Sequence, residues 1–372
     1  MWMKLAAVET LLVRHALSRP TGPAGAYNSE RRTVVLRLMT TDGLVGWGET
    51  YAVAGVREAI DTTLKPLLLE QHDVATGRLH QQMMDATFGN GFAVGGVDIA
   101  LHDLRGKALG VPICDLYGGA RRSHVRAYAS GLCYQQGMDP GETWLDDACG
   151  LAARGFTAIK MRIGAYAPEH ELPLIQRVKD ALPHATQLFV DAWGAYTPAT
   201  ALRVGRELEQ IGVGWYEEPL PQAGYTGYEH IAAALDMPVA GGEMLQSRAA
   251  FKELFDRRAV DIVQPDICIC GGIAEARFVA DLARLYGVLC IPHTWNGAIM
   301  HVASLHLAAV LPEPTRVPDP IASLLEYDTT ENELIQRLVS PNWEPIGGGF
   351  EVPTGPGLGV QVDEEWIRAH AH

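Results

Sequence analysis

The chain has 372 residues, of which 48% are apolar and 20% charged, and its formal net charge at pH 7 is −14. That length predicts two domains or one large barrel with additions, and the acidic balance argues against nucleic acid as a partner. No apolar run reaches the roughly 18 residues of a membrane-spanning helix, and the N-terminus lacks the architecture of a signal peptide. We therefore expect a cytoplasmic protein without a membrane partner.

The first 50 residues show the alternation of an antiparallel hairpin. Strand-like runs at 32–39 and 44–49 flank the strong turn signal Thr-Asp-Gly at 41–43. Before them, residues 18–28 are rich in Pro and Gly and too irregular for a regular element, which is typical of a mobile flap or of a disordered connection. From about residue 55 to 110 the apolar spacing is helical. These signals predict an α+β domain of a hairpin sheet followed by helices.

From about residue 124 onward, strand-like runs alternate with helical or connecting segments. The runs begin near residues 125, 157, 187, 213, 238, 260, 288 and 322. This alternation predicts a parallel α/β sheet, and eight units close it into a barrel. The turn-rich tail is expected to fold back on the first domain. The predicted divisions are 1–122, 123–340 and a C-terminal segment 341–372.

Three carboxylates recur at a fixed interval in the barrel region. Asp191, Glu217 and Glu243 each close a short strand-like run, and both steps between them are 26 residues. Successive β-α units therefore carry an acid at the same place, which in a parallel barrel is the C-terminal rim where active sites lie. Three hard oxygen ligands converging there predict a Mg²⁺ site. The alternative is that these acids are helix N-caps or solvated loop charges.

Candidate acid-base side chains lie on, or at the ends of, the strands that flank the three acids. Lys160 and Arg162 are two residues apart, so both point into the barrel if either does, although they could simply pair with nearby acids. Asp266 and His293 end the next two strands, where a buried carboxylate would raise the basicity of the imidazole and fix its tautomer. This pair predicts a general base, against the alternative of an ordinary rim histidine. Glu326 ends the last strand and could hydrogen-bond a substrate oxygen or be a solvated acid.

The combination resembles the mandelate racemase subgroup of the enolase superfamily, over essentially the whole chain. The resemblance rests on the three acids, the two cations and the Asp-His pair, and on the segments 93–107, 216–219 and 355–359. It implies a modified (β/α)7β TIM-type barrel under an α+β capping domain. It also implies that the three acids hold Mg²⁺, with the cations and the imidazole on opposite faces of a small carboxylate substrate. Relatives commonly form dimers or octamers, so we expect a homo-oligomer.

In such enzymes a base removes the proton α to a carboxylate, and Mg²⁺ stabilises the ene-diolate. The chain departs from the family motif at Arg162, where relatives usually carry a second, proton-transferring lysine. Arginine, with a pKa above roughly 12, is a poor base. Racemisation needs a base on each face, whereas elimination after one-sided abstraction needs only His293. We therefore expect dehydration of a hexonate or hexarate to a 2-keto-3-deoxy acid. The alternatives are a cycloisomerase, a racemase or epimerase, and a non-catalytic metal-binding protein.

Several residues near these positions are candidates for substrate contact, with ordinary packing or exposure as the alternative. Trp193 stands where relatives often carry Asn after the first metal ligand, and it should narrow one side of the pocket. The others lie in the Pro/Gly-rich segment, after the hairpin and after the imidazole: Tyr27, Asn28, Tyr51, Trp295 and Asn296.

Overall fold

The N-terminal part is an antiparallel sheet covered by helices in the computed structural model, which describes residues 3–74, 76–222, 225–312 and 321–372. Its strands are β1 (Leu5–Gly22), β2 (Asn28–Thr40) and β3 (Val45–Tyr51). Its helices are α1 (Val56–Ala59), α2 (Lys65–Leu69), α3 (Thr76–Ala86) and α4 (Gly91–Leu109), with a π-helical turn at Ile60–Leu64 and a 3-10 turn at Ile113–Tyr117. The predicted hairpin is confirmed by the antiparallel pairing of β2 with β3.

Eight parallel strands follow in the predicted chain order. They are β4 (His124–Gly131), β6 (Ala158–Arg162), β7 (Gln187–Asp191), β8 (Tyr216–Glu217), β9 (Val239–Gly241), β10 (Ile262–Val263), β11 (Leu289–Cys290) and β12 (Leu324–Asp328), with the short β5 (Tyr134–Gln135) after the first. The helices between them are α5 (Pro140–Ala153), α6 (Pro168–Ala181), α7 (Pro198–Ile211), α8 (Tyr228–Ala234), α9 (Arg248–Asp256), α10 (Ile273–Tyr286) and α11 (Ala298–Val310). Hydrogen bonds join the strands in the order β11-β10-β9-β8-β7-β6-β4-β12. The predicted fold class, an α/β barrel with an α+β capping domain, is confirmed.

Packed aromatic rings form the floor of the barrel beneath its rim. Phe189 and Trp215 stack with ring centroids 3.4 Å apart, and Tyr128 meets Trp215 edge-on at 5.2 Å. All three rings are fully buried. A barrel filled in this way is a core and not a pore. The rim above this floor meets the capping sheet, where Tyr51 OH donates to Asp266.

The segment 18–28, expected to be irregular, is strand over residues 18–22 and at residue 28, and is irregular over residues 23–27. β1 continues through it to residue 22 and pairs at its end with β5. Pro20 lies where the β1–β2 register shifts, a place at which a strand tolerates the missing N–H, and its carbonyl accepts a hydrogen bond from Gln136 N at 2.9 Å. Thr21 pairs locally with Asn28 of β2 and also with Gln135 of β5, more than 100 residues further along the chain. The second partner could not be predicted from the local pattern.

The tail contacts both parts of the molecule. It contains β14 (Gly349–Glu351), β15 (Gln361–Val362) and α13 (Glu364–Ala369), and α12 (Glu333–Arg337) and β13 (Val339–Ser340) lie just before it. β14 pairs with β4 of the barrel and β13 with β15. The last residues reach the first sheet, where Arg368 pairs with Glu9 at 3.0 Å. The divisions at 122 and 340 stay predictions.

One finding concerns the possibility of a membrane-spanning helix. Within the described ranges, none of the helices combines the length and apolar character needed to cross a membrane. Cytoplasmic location and assembly as a dimer or octamer stay predictions.

A buried carboxylate of the capping sheet closes the interface with the barrel. Glu49 on β3 accepts hydrogen bonds from Met300 N in the first turn of α11 at 2.8 Å and from Thr33 Oγ1 at 2.9 Å. A side chain at Gly297 would clash with Glu49, so glycine permits this close approach. Burial raises the pKa of Glu49 to about 7, against the opposing effect of these hydrogen bonds.

This shift predicts that Glu49 makes the protein less stable at alkaline pH. Its folded pKa of about 7 lies above the ordinary 4.5, so the stabilisation is fully present below pH 4.5 and is lost as pH rises through 7. The shift corresponds to about 3 kcal/mol. In chemical denaturation between pH 4.5 and 8, the free energy of unfolding should fall by this amount relative to Glu49→Gln. The exposed Glu58→Gln should follow the wild type, and parallel profiles for Glu49→Gln and wild type would contradict the assignment.

Candidate active site

Strand register places the first predicted site residues side by side. Arg162 pairs with Asp191 between β6 and β7, and Asp191 pairs with Glu217 between β7 and β8. In-register neighbours share a face of the sheet, so these three side chains emerge together at the mouth of the barrel. Glu243 follows two residues after β9 ends. The predicted row of three acids thus lies along consecutive strands.

The position of Glu243 is set by the second glutamate of Tyr216-Glu-Glu-Pro219. Glu218 is buried, and its Oε1 accepts a hydrogen bond from Gly242 N at 2.9 Å. Gly242 has a φ of 105°, which favours glycine, and it directly precedes Glu243. Tyr228 donates to the other oxygen of Glu218 at 2.5 Å. This buried network fixes the turn that carries the third acid.

Two cations lie against the acids. Lys160 contacts Glu217 directly, and its Nζ lies 3.5 Å from Asp191 Oδ2, which Arg162 also contacts. Gln264 Nε2 donates to the second oxygen of Glu217 at 2.8 Å. Among the described residues, no set of His, Cys, Asp and Glu side chains is gathered in the manner of a metal centre. Lys160 and Arg162 occupy positions beside the oxygens that a metal would use.

The donor set nevertheless fits a divalent cation. Glu243 Oε2 is buried, and no described residue donates a hydrogen bond to it; His293 Nε2 lies 3.4 Å away. Carboxylate oxygens are the ligands that Mg²⁺ prefers. The cluster also carries an excess of negative charge, because two permanent cations, Lys160 and Arg162, face five carboxylates. These are Asp191, Glu217, Glu243, Asp266 and Glu326.

His293 and Asp266 are brought together as the sequence predicts. His293 Nδ1 donates to Asp266 Oδ2 at 2.7 Å, and Tyr51 OH of the capping sheet donates to the same oxygen at 2.8 Å. Nε2 faces the acids, 3.4 Å from Glu243 and 3.7 Å from Glu326. Burial opposes the charged ring, but the neighbouring carboxylates, led by Glu243, raise the pKa of His293 to about 9. The arrangement is that of an imidazole whose basicity a carboxylate supports.

Arg162 stays protonated in this setting. Burial opposes its charge, but the Cys133 sulfur and the site carboxylates, led by Glu326, raise the pKa of Arg162 above its ordinary value. The side chain is buried and lies on the opposite side of the acid row from β10 and β11, which carry Asp266 and His293. The guanidinium can therefore bind an anion but is unsuited to removing a proton.

Glu326 forms a buried ion pair with Lys160. Its Oε1 lies 2.8 Å from Lys160 Nζ, and its Oε2 accepts a hydrogen bond from Thr294 N at 3.1 Å. Although burial opposes ionisation, Lys160 and the other site cations hold the pKa of Glu326 at about 2. Both oxygens thus have protein partners, and the expected contact with substrate stays a prediction.

A cavity of about 180 Å³ opens above these groups, between the barrel rim and the capping domain. Three of the aromatic candidates line it: Tyr51, Trp193 and Trp295. Trp193 has a φ of 45°, and its N–H donates to Asp191 Oδ1 at 2.8 Å, so the turn that exposes the indole also holds the acid. The remaining candidates, Tyr27, Asn28 and Asn296, are not among the cavity-lining residues, and Asn296 is buried against Thr33.

Sequence reasoning missed part of the site. Gln264 could have been found, because it precedes Asp266 by two residues and so shares its strand face. The apolar lining had no comparable signal, since its members come from distant loops and helices whose local pattern is that of ordinary packing. They are Pro23, Val53, Phe92, Met244 and Ile269.

Fold and site together define a capped-barrel enzyme with an acidic cluster and a carboxylate-bound imidazole at the rim. Residues 7–118 match the mandelate racemase / muconate lactonizing enzyme N-terminal domain, and residues 144–366 match the enolase C-terminal domain-like family. The chain belongs to the mandelate racemase-like branch of the enolase superfamily, which confirms the resemblance noted above.

Two named relatives match most of the chain. D-galactarolactone cycloisomerase of Agrobacterium fabrum is 34% identical over 370 residues, covering 98% of this chain and 97% of that protein. Arabinonate dehydratase of Saccharolobus solfataricus is 35% identical over 339 residues, covering 88% of each. Since such relatives are dehydratases and a cycloisomerase, the chain is a carbon-oxygen lyase or an isomerase of this superfamily.

Among solved structures, L-talarate/galactarate dehydratase of Salmonella typhimurium LT2 superposes with a TM-score of 0.86 at 26% identity, covering 100% of this chain and 92% of that one. A mutant of L-talarate/galactarate dehydratase, with the same scores, is liganded with Mg and L-glucarate. Magnesium is thus bound by a relative with this fold.

Removing the buried ammonium should destabilise the site severely. Lys160→Met leaves Glu326 and Glu217 without their cation, and breaking a buried ion pair costs about 3–5 kcal/mol. Chemical denaturation at pH 7 should show this loss, and Lys160→Met combined with Glu326→Gln should recover part of it. The control Lys252→Met removes an exposed ion pair with Asp256 and should leave stability unchanged. Equal small effects of both lysine substitutions would contradict the account.

Proposed function

We propose that the protein dehydrates an acid sugar, a hexonate or hexarate, to a 2-keto-3-deoxy acid. The observation that carries the proposal is the asymmetry of the site. One side holds His293, supported by Asp266, and the other holds a guanidinium that stays protonated. One-sided proton abstraction suits elimination, whereas racemisation needs two bases. The dehydratases among the relatives support this choice.

We further propose that Asp191, Glu217 and Glu243 hold Mg²⁺. The bound cation would supply stabilisation for the negative charge that develops on the substrate carboxylate. Lys160 and Arg162 lie close enough to this row to bind substrate oxygens. They would thereby orient the α-carbon toward the imidazole.

The proton steps belong to the imidazole and its supports. Against the effect of burial, Glu243 is the leading cause of the raised pKa of His293, so a cation bound to Glu243 would lower that pKa and leave the imidazole neutral. His293 Nε2 then removes the α-proton, and Asp266 stabilises the resulting imidazolium through Nδ1. Tyr51 OH donates to the same carboxylate oxygen and so holds it in place from the capping side. The imidazolium then returns a proton to the departing β-hydroxyl, which leaves as water. The enol product becomes the keto acid.

Cycloisomerisation of a sugar-acid lactone is a second candidate. Part of the cavity lining is apolar, formed by Val53, Phe92, Met244 and Ile269. Such a wall fits a ring better than a chain of free hydroxyls. The first step is the same, but the ring oxygen then departs in place of hydroxide. The Agrobacterium relative of nearly equal length also supports this candidate.

The metal proposal predicts specific losses of Mg²⁺ binding. Asp191→Asn, Glu217→Gln and Glu243→Gln should each weaken binding at least about 100-fold, because each removes one charged ligand. Isothermal titration with Mg²⁺ measures this without turnover. Glu253→Gln, an exposed change on α9, should bind like the wild type. Retained affinity in all three site variants would place the metal elsewhere.

The reaction itself is tested with a panel of hexonates, hexarates and their lactones in the presence of Mg²⁺. Dehydration yields a 2-keto-3-deoxy acid, detected as the semicarbazone, whereas cycloisomerisation conserves the atoms of the lactone. His293→Asn should lower turnover by at least about 10³-fold, the scale of general base catalysis. Tyr51→Phe, which loses only a support of Asp266, should cost about tenfold. Epimer formation without a keto acid would overturn the dehydratase proposal.

A further inference from the structure

The site guanidinium belongs to a row of groups that crosses from the barrel to the capping sheet. Arg162 Cζ lies 4.6 Å from the centroid of the Trp295 indole, and Arg31 Cζ of β2 lies 4.9 Å from the same ring. Each guanidinium also meets a buried carboxylate, Asp191 in one case and Asp328 in the other. The groups follow in the order Asp191, Arg162, Trp295, Arg31 and Asp328.

Arg31 is held firmly at its end of the row. Its Nη2 lies 3.1 Å from Asp328 Oδ2 and donates to Thr330 Oγ1 at 2.7 Å. Asp328 is itself fixed, since Asn332 Nδ2 donates to it at 3.0 Å. The Arg31 side chain is only 14% exposed. These contacts fix the position of the Arg31 side chain between the capping domain and the barrel rim.

Arg162 and Arg31 each keep a buried Nε, and no described residue accepts a hydrogen bond from either atom. Arg162 differs from Arg31 in its charge partner. Its charge partner Asp191 is also the first of the three acids proposed to hold Mg²⁺. When that oxygen serves a metal, the Trp295 indole and the Cys133 sulfur remain as neighbours of the guanidinium, and the indole face is the one that sets its plane. A cation over an indole is attracted by the negative face of the ring.

We propose that Arg31 is a positioning residue which, acting through Trp295, sets the plane of the Arg162 guanidinium at the active-site cavity. The inference rests on the proposed function in one respect, the assignment of Arg162 to binding a substrate oxygen. It makes strand β2 of the cap part of the substrate-binding machinery, although Arg31 does not line the cavity. It also gives a physical role to arginine at position 162, since a planar guanidinium stacks on an indole as a lysine ammonium cannot.

The test uses Arg31→Gln, which keeps a planar polar group near Thr330 but removes the charge over the ring. The matched control is Arg37→Gln on the same strand, whose guanidinium lies 5.9 Å from the Trp47 ring, away from the cavity. The first readout needs no substrate: the ¹⁵N–¹H signal of Arg162 Nε, assigned by its absence in Arg162→Lys. Arg31→Gln and Trp295→Leu should each shift this signal, and Arg37→Gln and Trp295→Phe should leave it near its wild-type position.

The second readout is kinetic, on whichever acid sugar the protein turns over. Arg31→Gln should raise KM about tenfold and change kcat less than about threefold, because the loss is one of substrate orientation by a cation–π contact. The Arg31→Gln/Trp295→Leu double variant should be no worse than Trp295→Leu alone.

An unchanged Arg162 signal in Arg31→Gln would overturn the proposal, as would multiplicative losses of kcat/KM in the double variant. If Arg31→Gln does not fold, Arg31→Lys replaces it, because the ammonium keeps the charge beside Asp328 but cannot lie flat on the ring, and the Arg162 signal should again shift. Because this signal is recorded without turnover, a failed activity screen would refute the proposed function and leave this inference standing.

Discussion

The burial of unequal charge at the mouth of the barrel is the constraint on which the rest of the site depends. Five carboxylates and two permanent cations lie there, almost entirely out of water. Removing ions from water costs several kcal/mol each unless partners replace the solvent. The fold meets this cost with Lys160, Arg162 and a strongly basic His293. What remains is an excess of negative charge that suits a divalent cation. The same charge raises the pKa of the imidazole, despite its burial, as long as no cation offsets it.

The site is completed only when the capping sheet meets the barrel. Tyr51 supports Asp266, Glu49 accepts a hydrogen bond from the first turn of α11, and Arg31 stacks on Trp295. These three residues come from β2 and β3, the hairpin that the sequence predicts most clearly. The loop that follows His293 is thus held between two parts of the chain that are far apart in sequence. A rigid hold of this kind is what keeps catalytic groups in a productive geometry.

The sequence was sufficient wherever the information was local or periodic. Acids at equal steps located the rim, and the Asp266 and His293 positions predicted their contact. It was insufficient where partners are distant and chemically ordinary. Nothing near Tyr51 indicates that its hydroxyl meets a carboxylate more than 200 residues away. Likewise, nothing near residues 21–22 indicates that they pair with β5. The pairing of Lys160 and Arg162 with the acids was one of two alternatives in the sequence, and the strand register decides for it.

The most direct test of the account is the location of the cation. Crystals soaked in Mn²⁺, a divalent ion that carboxylate sites accept in place of Mg²⁺, should show one strong anomalous peak at the barrel mouth. We expect oxygens of Asp191, Glu217 and Glu243 around it, with Lys160 and Arg162 turned away from those oxygens. A peak elsewhere, or a mouth in which the two cations still bind Asp191 and Glu217 at saturating Mn²⁺, would contradict the central claim.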